Sequence, residues 1–386
     1  MHNLKTSHIR PMPPRDTREA HRAATPLELF FDLVFVIAIA AAAAGLHHSV
    51  AEAHFIDGIA KYVAIFFAIW WAWMNYTWFA SAYDNDDSLF RILTLIIIAG
   101  ALTLAAGVSH FFKSSDLTLV VLGFVIMRIA MVGFWLRAYK HDEARKQTAL
   151  WYAMGIALVQ VYWVALLLLQ PLTPVLFYAG FALGALLELS VPFFAERKAQ
   201  TPWHRHHIIE RYGLLNIIVL GETLLAGSIA LNTAAVHFDI DLIHSAIAAL
   251  VIVFALWWLY FSREEHLNAQ DLSMALTWGY GHLVIYIAGA AVGAGFAVLV
   301  DIVTDHAAVS LLVGNYAVAI PVAFYFMGLW FVRDRFVLDG VGKSVLPAFA
   351  LLVLCIPLVS GLEGIAVVTV LCVLTRSKIA CRGKQA

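Results

Sequence analysis

The sequence predicts an all-α polytopic membrane protein of about twelve transmembrane helices in two parallel six-helix repeats. Three observations predict it. Hydrophobic residues make up 62% of the 386-residue chain and charged residues 13%, about half the charged share of a soluble domain; the mean hydropathy is +0.82. The apolar residues gather in runs of about 20, the length that crosses bilayer hydrocarbon as a helix. Lys and Arg fall almost entirely in alternate connections between those runs.

Residues 1–24 are polar, with Arg10, Pro11, Pro13, Pro14, Arg15 and Arg18, and lack the early apolar stretch of a cleaved signal peptide. They read as a cytoplasmic tail before a retained first helix. The first span, 27–46, opens on Thr25-Pro26-Leu27-Glu28, a capping box in which Glu28 reaches back to Thr25. Asp32 lies one turn deeper, where a carboxylate costs roughly 2.5–3.5 kcal/mol on insertion scales. The second span, 58–81, carries Trp70, Trp71, Trp73 and Trp78. Tyr83–Asp87 resembles half a calcium loop without the later Gly and Glu, and reads as the cap of the third span, 91–112. The fourth, 117–138, has Arg128 near its middle. The fifth is 149–169. The sixth, 174–194, holds Gly180 and Gly184 at the spacing for close helix approach, and Glu188 within snorkelling reach of Arg197 or Lys198.

The seventh span, 208–231, follows His204, His206 and His207 and contains Glu210, Asn216 and Glu222. Twelve residues separate the two acids, about 18 Å along a helix, which sets Glu222 near mid-bilayer. The eighth, 242–261, ends near Trp257 and Trp258; the ninth, 274–299, carries His282, Gly289 and Gly293; the tenth is 308–332. The last two, 345–360 and 363–376, are short and divided at Ser360-Gly361, so two spans or one broken hairpin fit. Residues 377–386 form a second cytoplasmic tail. With the N-terminus inside, every Lys and Arg except Lys61, Lys113 and Arg128 falls in an inside segment. Both termini are then cytoplasmic, and the basic loops serve topology rather than nucleic acid.

The halves 25–200 and 201–376 align. Glu28 matches Glu210, Trp70-Trp71 matches Trp257-Trp258, Ile98–Ala101 matches Ile287–Ala290, and Gly133-Phe134-Trp135 matches Gly328-Leu329-Trp330. Both halves start on the same side, a parallel repeat. The charges do not repeat: Asp32 faces Leu214, Glu222 faces Ala40, and Arg128 faces Ala323. One asymmetric site is the expectation. Its pathway candidates are Asp32, Arg128, Glu188, Glu222 and His282; Glu28, Asn216 and Glu210 read as interhelical or capping groups. Arg128 and Glu222 would neutralise one another if their helices touch, as a lock or as part of a relay.

No metal or cofactor is expected. Cys355, Cys372 and Cys381 have no zinc or disulfide spacing, and the histidine groups (with His47, His48 and His54 in the first outer loop) lack Cys or acidic companions at ligand spacing. No phosphate loop, nucleophile elbow or zinc-protease motif occurs in a fitting context, so neither an ATP-driven pump nor an enzyme is expected.

TPLELFFDLVFVIAIA (Thr25–Ala40), ERYGLLNIIVLGET (Glu210–Thr223), ALWWLYF (Ala255–Phe261) and YGHLVIYIAGAAVGAG (Tyr280–Gly295) resemble the bacterial low temperature requirement A (LtrA) family along nearly the whole chain. An acidic residue often follows the WWLYF run in that family; Ser262 stands there, and the loop is given no role. Arg22, Phe31-Asp32 and Phe35 also resemble the Arg…Phe-Ser-Asp signature of a potassium-channel family with six-helix repeats, although Phe31 replaces its Ser and Leu214 its second Asp. The function expected is movement of a small solute or ion, proton-linked if it is a secondary transporter. The alternatives are a cation channel and a non-transport membrane factor in cold or stress adaptation. The partners implied are the lipid bilayer and the transported species; a homo-oligomer is compatible with the chain.

Overall fold

A computed structural model describes residues 9–17, 19, 22–237, 240–262, 267 and 272–382. Lys5, Arg18, Arg263 and Lys384, used above for topology, lie outside the described residues, as does the end of the C-terminal tail, 383–386. The described residues are all-α, without a strand. The helices are α1 (Pro26–Ala51), α2 (Phe55–Tyr83), α3 (Ser88–Ser114), α4 (Thr118–His141), α5 (Lys146–Leu168), α6 (Pro174–Glu196), α7 (Arg205–His237), α8 (Ile240–Phe261), α9 (Leu272–Val303), α10 (Leu311–Leu329), the single turn α11 (Arg335–Val337), α12 (Val345–Cys355) and α13 (Leu362–Arg382). Among the described residues ten segments are long and apolar enough to cross a membrane: α1 to α6, α8, α9, the run 311–337 and the run 340–358. The chain is a multi-pass membrane protein. The last apolar region is two helices: α12 runs through a 3₁₀ turn at Ile356–Leu358 before the chain breaks and α13 begins.

The chain divides into two compact units, residues 1–38 with 64–211, and residues 39–63 with 212–386. In the first, α3 packs along α4, α4 on α5 and α5 on α6. Glycine lets the α3 and α4 backbones meet: a Cβ on Gly100 would lie 2.7 Å from the Gly123 carbonyl oxygen. Trp135 and Tyr152 stack face to face at 3.9 Å to join α4 to α5. Asp87 caps α3 by accepting the Phe90 N–H at 2.8 Å, as the sequence predicts.

The segment before α1 is no free tail. The Arg10 N–H donates to Asp87 at 2.8 Å, the Arg15 N–H donates to the Ala82 carbonyl at 2.9 Å, and Met12 is fully buried. Arg22 crosses the end of α2 and donates to the carbonyls of Ala80, at 2.7 Å, and Ser81. Those carbonyls lie in the last turn of α2, where Ala80 also accepts the Asp84 N–H at 3.0 Å, and Arg22 supplements the donors that a helix end lacks.

In the second unit α9 packs along α10, α10 on α12, and α13 on both α12 and α8. Pro321 in α10 has no N–H for the carbonyl of Ala317, its partner four residues back. Gly295 of α9 is packed against that carbonyl, and a Cβ on Gly295 would collide with it. Gly295→Ala is therefore expected to cost about 1–3 kcal/mol, the range for forced overpacking. Gly221→Ala on α7, where a Cβ meets nothing within 4 Å, should be neutral or stabilise by about 0.4–1 kcal/mol. Unfolding of both variants in one detergent checks the contrast.

Candidate functional site

Among the described residues three buried charge clusters concern the helix interiors, besides the Arg137–Asp87 pair at the start of α3. The first joins the start of α1 to the start of α7, within the first unit. Glu28 and Asp32 are four residues apart, hence on one face of α1; His207 and Arg211 have the same spacing on α7. The two faces meet. Asp32 accepts from Arg211 at both oxygens, Nη2 at 2.6 Å and Nε at 3.1 Å, and from the Trp73 indole of α2 at 2.7 Å. Glu28 lies 2.9 Å from Arg211 Nη1 and 3.1 Å from His207 Nε2, with Arg22 at 3.9 Å. It also closes the capping box: Thr25 N–H donates to Glu28 at 2.8 Å, and Glu28 N–H donates to the Thr25 hydroxyl at 3.3 Å. Glu28, Arg211 and His207 are wholly buried and Asp32 nearly so. Two carboxylates and two guanidiniums balance, which is what makes this burial tolerable.

The second cluster lies deeper in the same unit. Glu188 of α6 accepts from Arg128 of α4 at 3.2 Å, from Trp71 of α2 at 2.7 Å and from Trp163 of α5 at 3.1 Å. Four helices thus converge on one carboxylate, which is 1% exposed and so cannot snorkel. Arg197 and Lys198, its expected partners, instead lie over the rings of Phe193 and Trp151. Arg128 packs over Phe124 at 4.5 Å, and its Nε and Nη1 are buried without a hydrogen-bond partner. Its carboxylate partner is Glu188, where the sequence reading offered Glu222.

The third cluster is in the second unit. After α10 the chain widens into a π turn, Trp330–Asp334, which turns both Arg333 and Asp334 inward. Arg333 donates to the α8 carbonyls of Leu259, at 2.8 Å, and Tyr260, and to Asp334 at 3.0 Å. Arg376 of α13 binds Asp334 with a two-pronged fork at 2.6 and 2.7 Å and donates to the Ser262 hydroxyl. The residue after the WWLYF run thus has a role after all: it faces a buried arginine.

The other sequence candidates are dispersed. Glu222 is half-buried on α7, and Glu210 is exposed. Asn216 accepts from the Tyr325 hydroxyl at 3.1 Å, tying α7 to α10. His282 is wholly buried among Tyr212, Trp278, Tyr260 and Tyr286, and its Nδ1 lies 2.8 Å from the Trp278 carbonyl of its own helix, not of a neighbour. His47 pairs with Asp301 at 2.7 Å, and His204 Nε2 lies 2.7 Å from the Glu19 carbonyl. Among the described residues no group of three His, Cys, Asp or Glu could hold a metal ion.

Sequence reading missed Arg211, Trp73, Arg333, Asp334 and Arg376. The basic residues were absorbed into the loop-charge pattern. The signal that could have found Arg211 is the His207–Arg211 interval, which matches Glu28–Asp32.

Asp84, in the α2–α3 turn, is 5% exposed. Burial, together with the charge of Glu28, pushes its carboxyl up to about 6, against the Asp86 N–H and Arg22. The folded protein therefore holds this proton more tightly than the unfolded chain does. Its contribution is full below about pH 4 and is lost as the pH rises through 6, a change of about 3 kcal/mol. Denaturant unfolding across that window should show the loss in the parent protein and lack it in Asp84→Asn.

Apolar spans and buried, paired charges mark a multi-pass membrane protein. The family model for the bacterial low temperature requirement A protein (LtrA) matches residues 23–377. The chain belongs to that family. It is similar to an uncharacterized protein of Rhizobium meliloti (strain 1021), 26% identical over 286 residues, covering 70% of this chain and 68% of the relative. No solved structure matches.

Proposed function

We propose that the chain moves a small solute or ion across the bacterial plasma membrane, coupled to protons at the α1–α7 cluster, and that it is not an enzyme. The observation that carries the reading is the two-carboxylate grip on Arg211. A proton or cation taken up by Asp32 removes part of the charge that holds Arg211, so occupancy of one acid biases the α1–α7 contact. Glu188 and Arg128 form a second, deeper pair on the same unit, and the two unpartnered nitrogens of Arg128 are ready donors for an anionic or carbonyl group. Glu222 is the further proton carrier in this scheme.

The same proposal includes twelve spans, with α7 and α13 added to the ten, in two parallel repeats with both termini cytoplasmic. The order of neighbours supports it: the succession α3–α4–α5–α6 recurs as α9–α10–α12–α13.

The test is flux in liposomes with proton and potassium gradients imposed separately, across a panel of inorganic ions and small metabolites. Saturable proton uptake that requires a solute, and is lost in folded Asp32→Asn and Glu222→Gln, is the expected result. Fast, non-saturating potassium flux would move the reading to a channel. Silence under every gradient from folded protein would move it to a structural role.

A further inference from the structure

The second unit contains an apolar groove of about 450 Å³ between the ends of α1 and α2 at their connecting turn and the facing lengths of α9 and α10. Small residues on α9, Ala288, Ala291 and Gly295, make its floor, and Gly295 sets the depth by bringing α9 against the Ala317 carbonyl. Ile59, Ile320 and Phe324 stand at its rim, 50%, 43% and 57% exposed. Apart from Tyr62 and Tyr316 the lining side chains are hydrocarbon, and the Tyr62 hydroxyl is already engaged, donating to the Ile287 carbonyl at 2.7 Å.

Composition and placement decide the occupant. Water gains little in such a groove, because it finds too few polar partners. A polar solute would lose its hydration for nothing in return. The four helices that bound the groove are all among the membrane-crossing segments, so the medium against the rim is lipid hydrocarbon. The lining on α9 runs from Val284 to Val298, about 21 Å of helix, against the ~15 Å hydrocarbon depth of one leaflet. One end is polar: Asp301, three residues past Val298, pairs with His47 beside the lining residue Leu46. That end marks the interface, where a headgroup sits. We infer that the groove is a lipid site: it holds one acyl chain of a bilayer phospholipid from the leaflet on the side of the α1–α2 turn, its headgroup toward the His47–Asp301 pair.

The experiment is photolabelling of the full chain in liposomes doped with a phospholipid that carries a diazirine in mid-chain, with labelled residues mapped by mass spectrometry. Labelling at Ala291, Ile320 and Phe324 should exceed that at Leu158 and Val161, 68% exposed on α5, by roughly fivefold. Ala291→Phe fills the floor and should bring groove labelling down to the α5 level while leaving α5 labelling unchanged. The unchanged α5 pattern also reports that the variant is folded; if it is not, the ratio in the parent protein decides alone. Equal labelling of groove and α5 would overturn the inference, since only passing lipid would then be seen. So would crosslinks to a second copy of the chain in place of lipid. Neither result depends on whether the protein transports anything.

Discussion

Arg211→Ala is expected to destabilise the folded protein by about 3–5 kcal/mol, the cost of leaving buried charges without their partner. Arg211 is wholly buried and serves both Asp32 and Glu28. Without it, Arg22 at 3.9 Å from Glu28 is the remaining guanidinium of the cluster, and Asp32 keeps only the Trp73 indole. Adding Asp32→Asn to Arg211→Ala should recover part of the loss, because the deeper carboxylate is then neutral. Arg211→Lys should fall between the two: its charge is right, but one ammonium cannot supply a fork to Asp32 and also reach Glu28. Denaturant unfolding in detergent of the parent, Arg211→Ala, Asp32→Asn and the double variant gives the coupling directly. Equal losses for Arg211→Ala with and without Asp32→Asn would mean that the pair contributes only packing.

Asp334→Asn should have an effect of similar size, again about 3–5 kcal/mol. Asp334 is the shared carboxylate of Arg333 and Arg376, all three of them buried. Arg333 retains the α8 carbonyls, so the larger part of the loss belongs to Arg376, which is left with the Ser262 hydroxyl. Ser262→Asp offers Arg376 a new carboxylate at that position and should restore part of the stability of Asp334→Asn. In the parent protein the same change should have little effect. Thermal unfolding of the single and double variants separates these outcomes.

The helices were legible because apolar runs of bilayer length leave few alternatives, and the Thr25–Glu28 capping box and the Asp87 cap are local patterns that the structure reproduces. That Asp32 and Arg128 sit within apolar helices was legible for the same reason; Glu188 reads as snorkelling and is instead buried. Their partners were not. Periodicity along one helix says nothing about which helix faces it, so Arg128 was matched to Glu222 by depth alone, whereas α4 lies against the helices that bring in Glu188. Arg211, Arg333 and Arg376 were hidden by their positions: at helix ends a basic residue satisfies the loop-charge pattern whether it points to water or inward. Trp70 and Trp71 show the same limit. Their sequence partners Trp257 and Trp258 are 46% and 56% exposed, while they themselves are buried. Two Trp-Trp pairs alike in sequence therefore sit in different environments.

The docking of Arg10, Met12, Arg15 and Arg22 and the grip on Asp32 also bear on the order in which the protein can be assembled. Arg10 and Arg22 find their partners only when the α2–α3 turn has been made, and Arg137 reaches the Arg10 carbonyl from 127 residues further along. Arg211 is separated from Asp32 by 179 residues. During synthesis the first helix must therefore enter the membrane with an unpaired acid and wait, through the insertion of five more helices, for its cation. Closing so long a loop costs little more entropy than closing a shorter one, so the distance does not prevent the pairing; the cost lies in the acid carried unpaired until then. The vulnerable species is the nascent chain that ends before α7, and a ribosome stalled there would leave α1 the least secure helix of those already inserted.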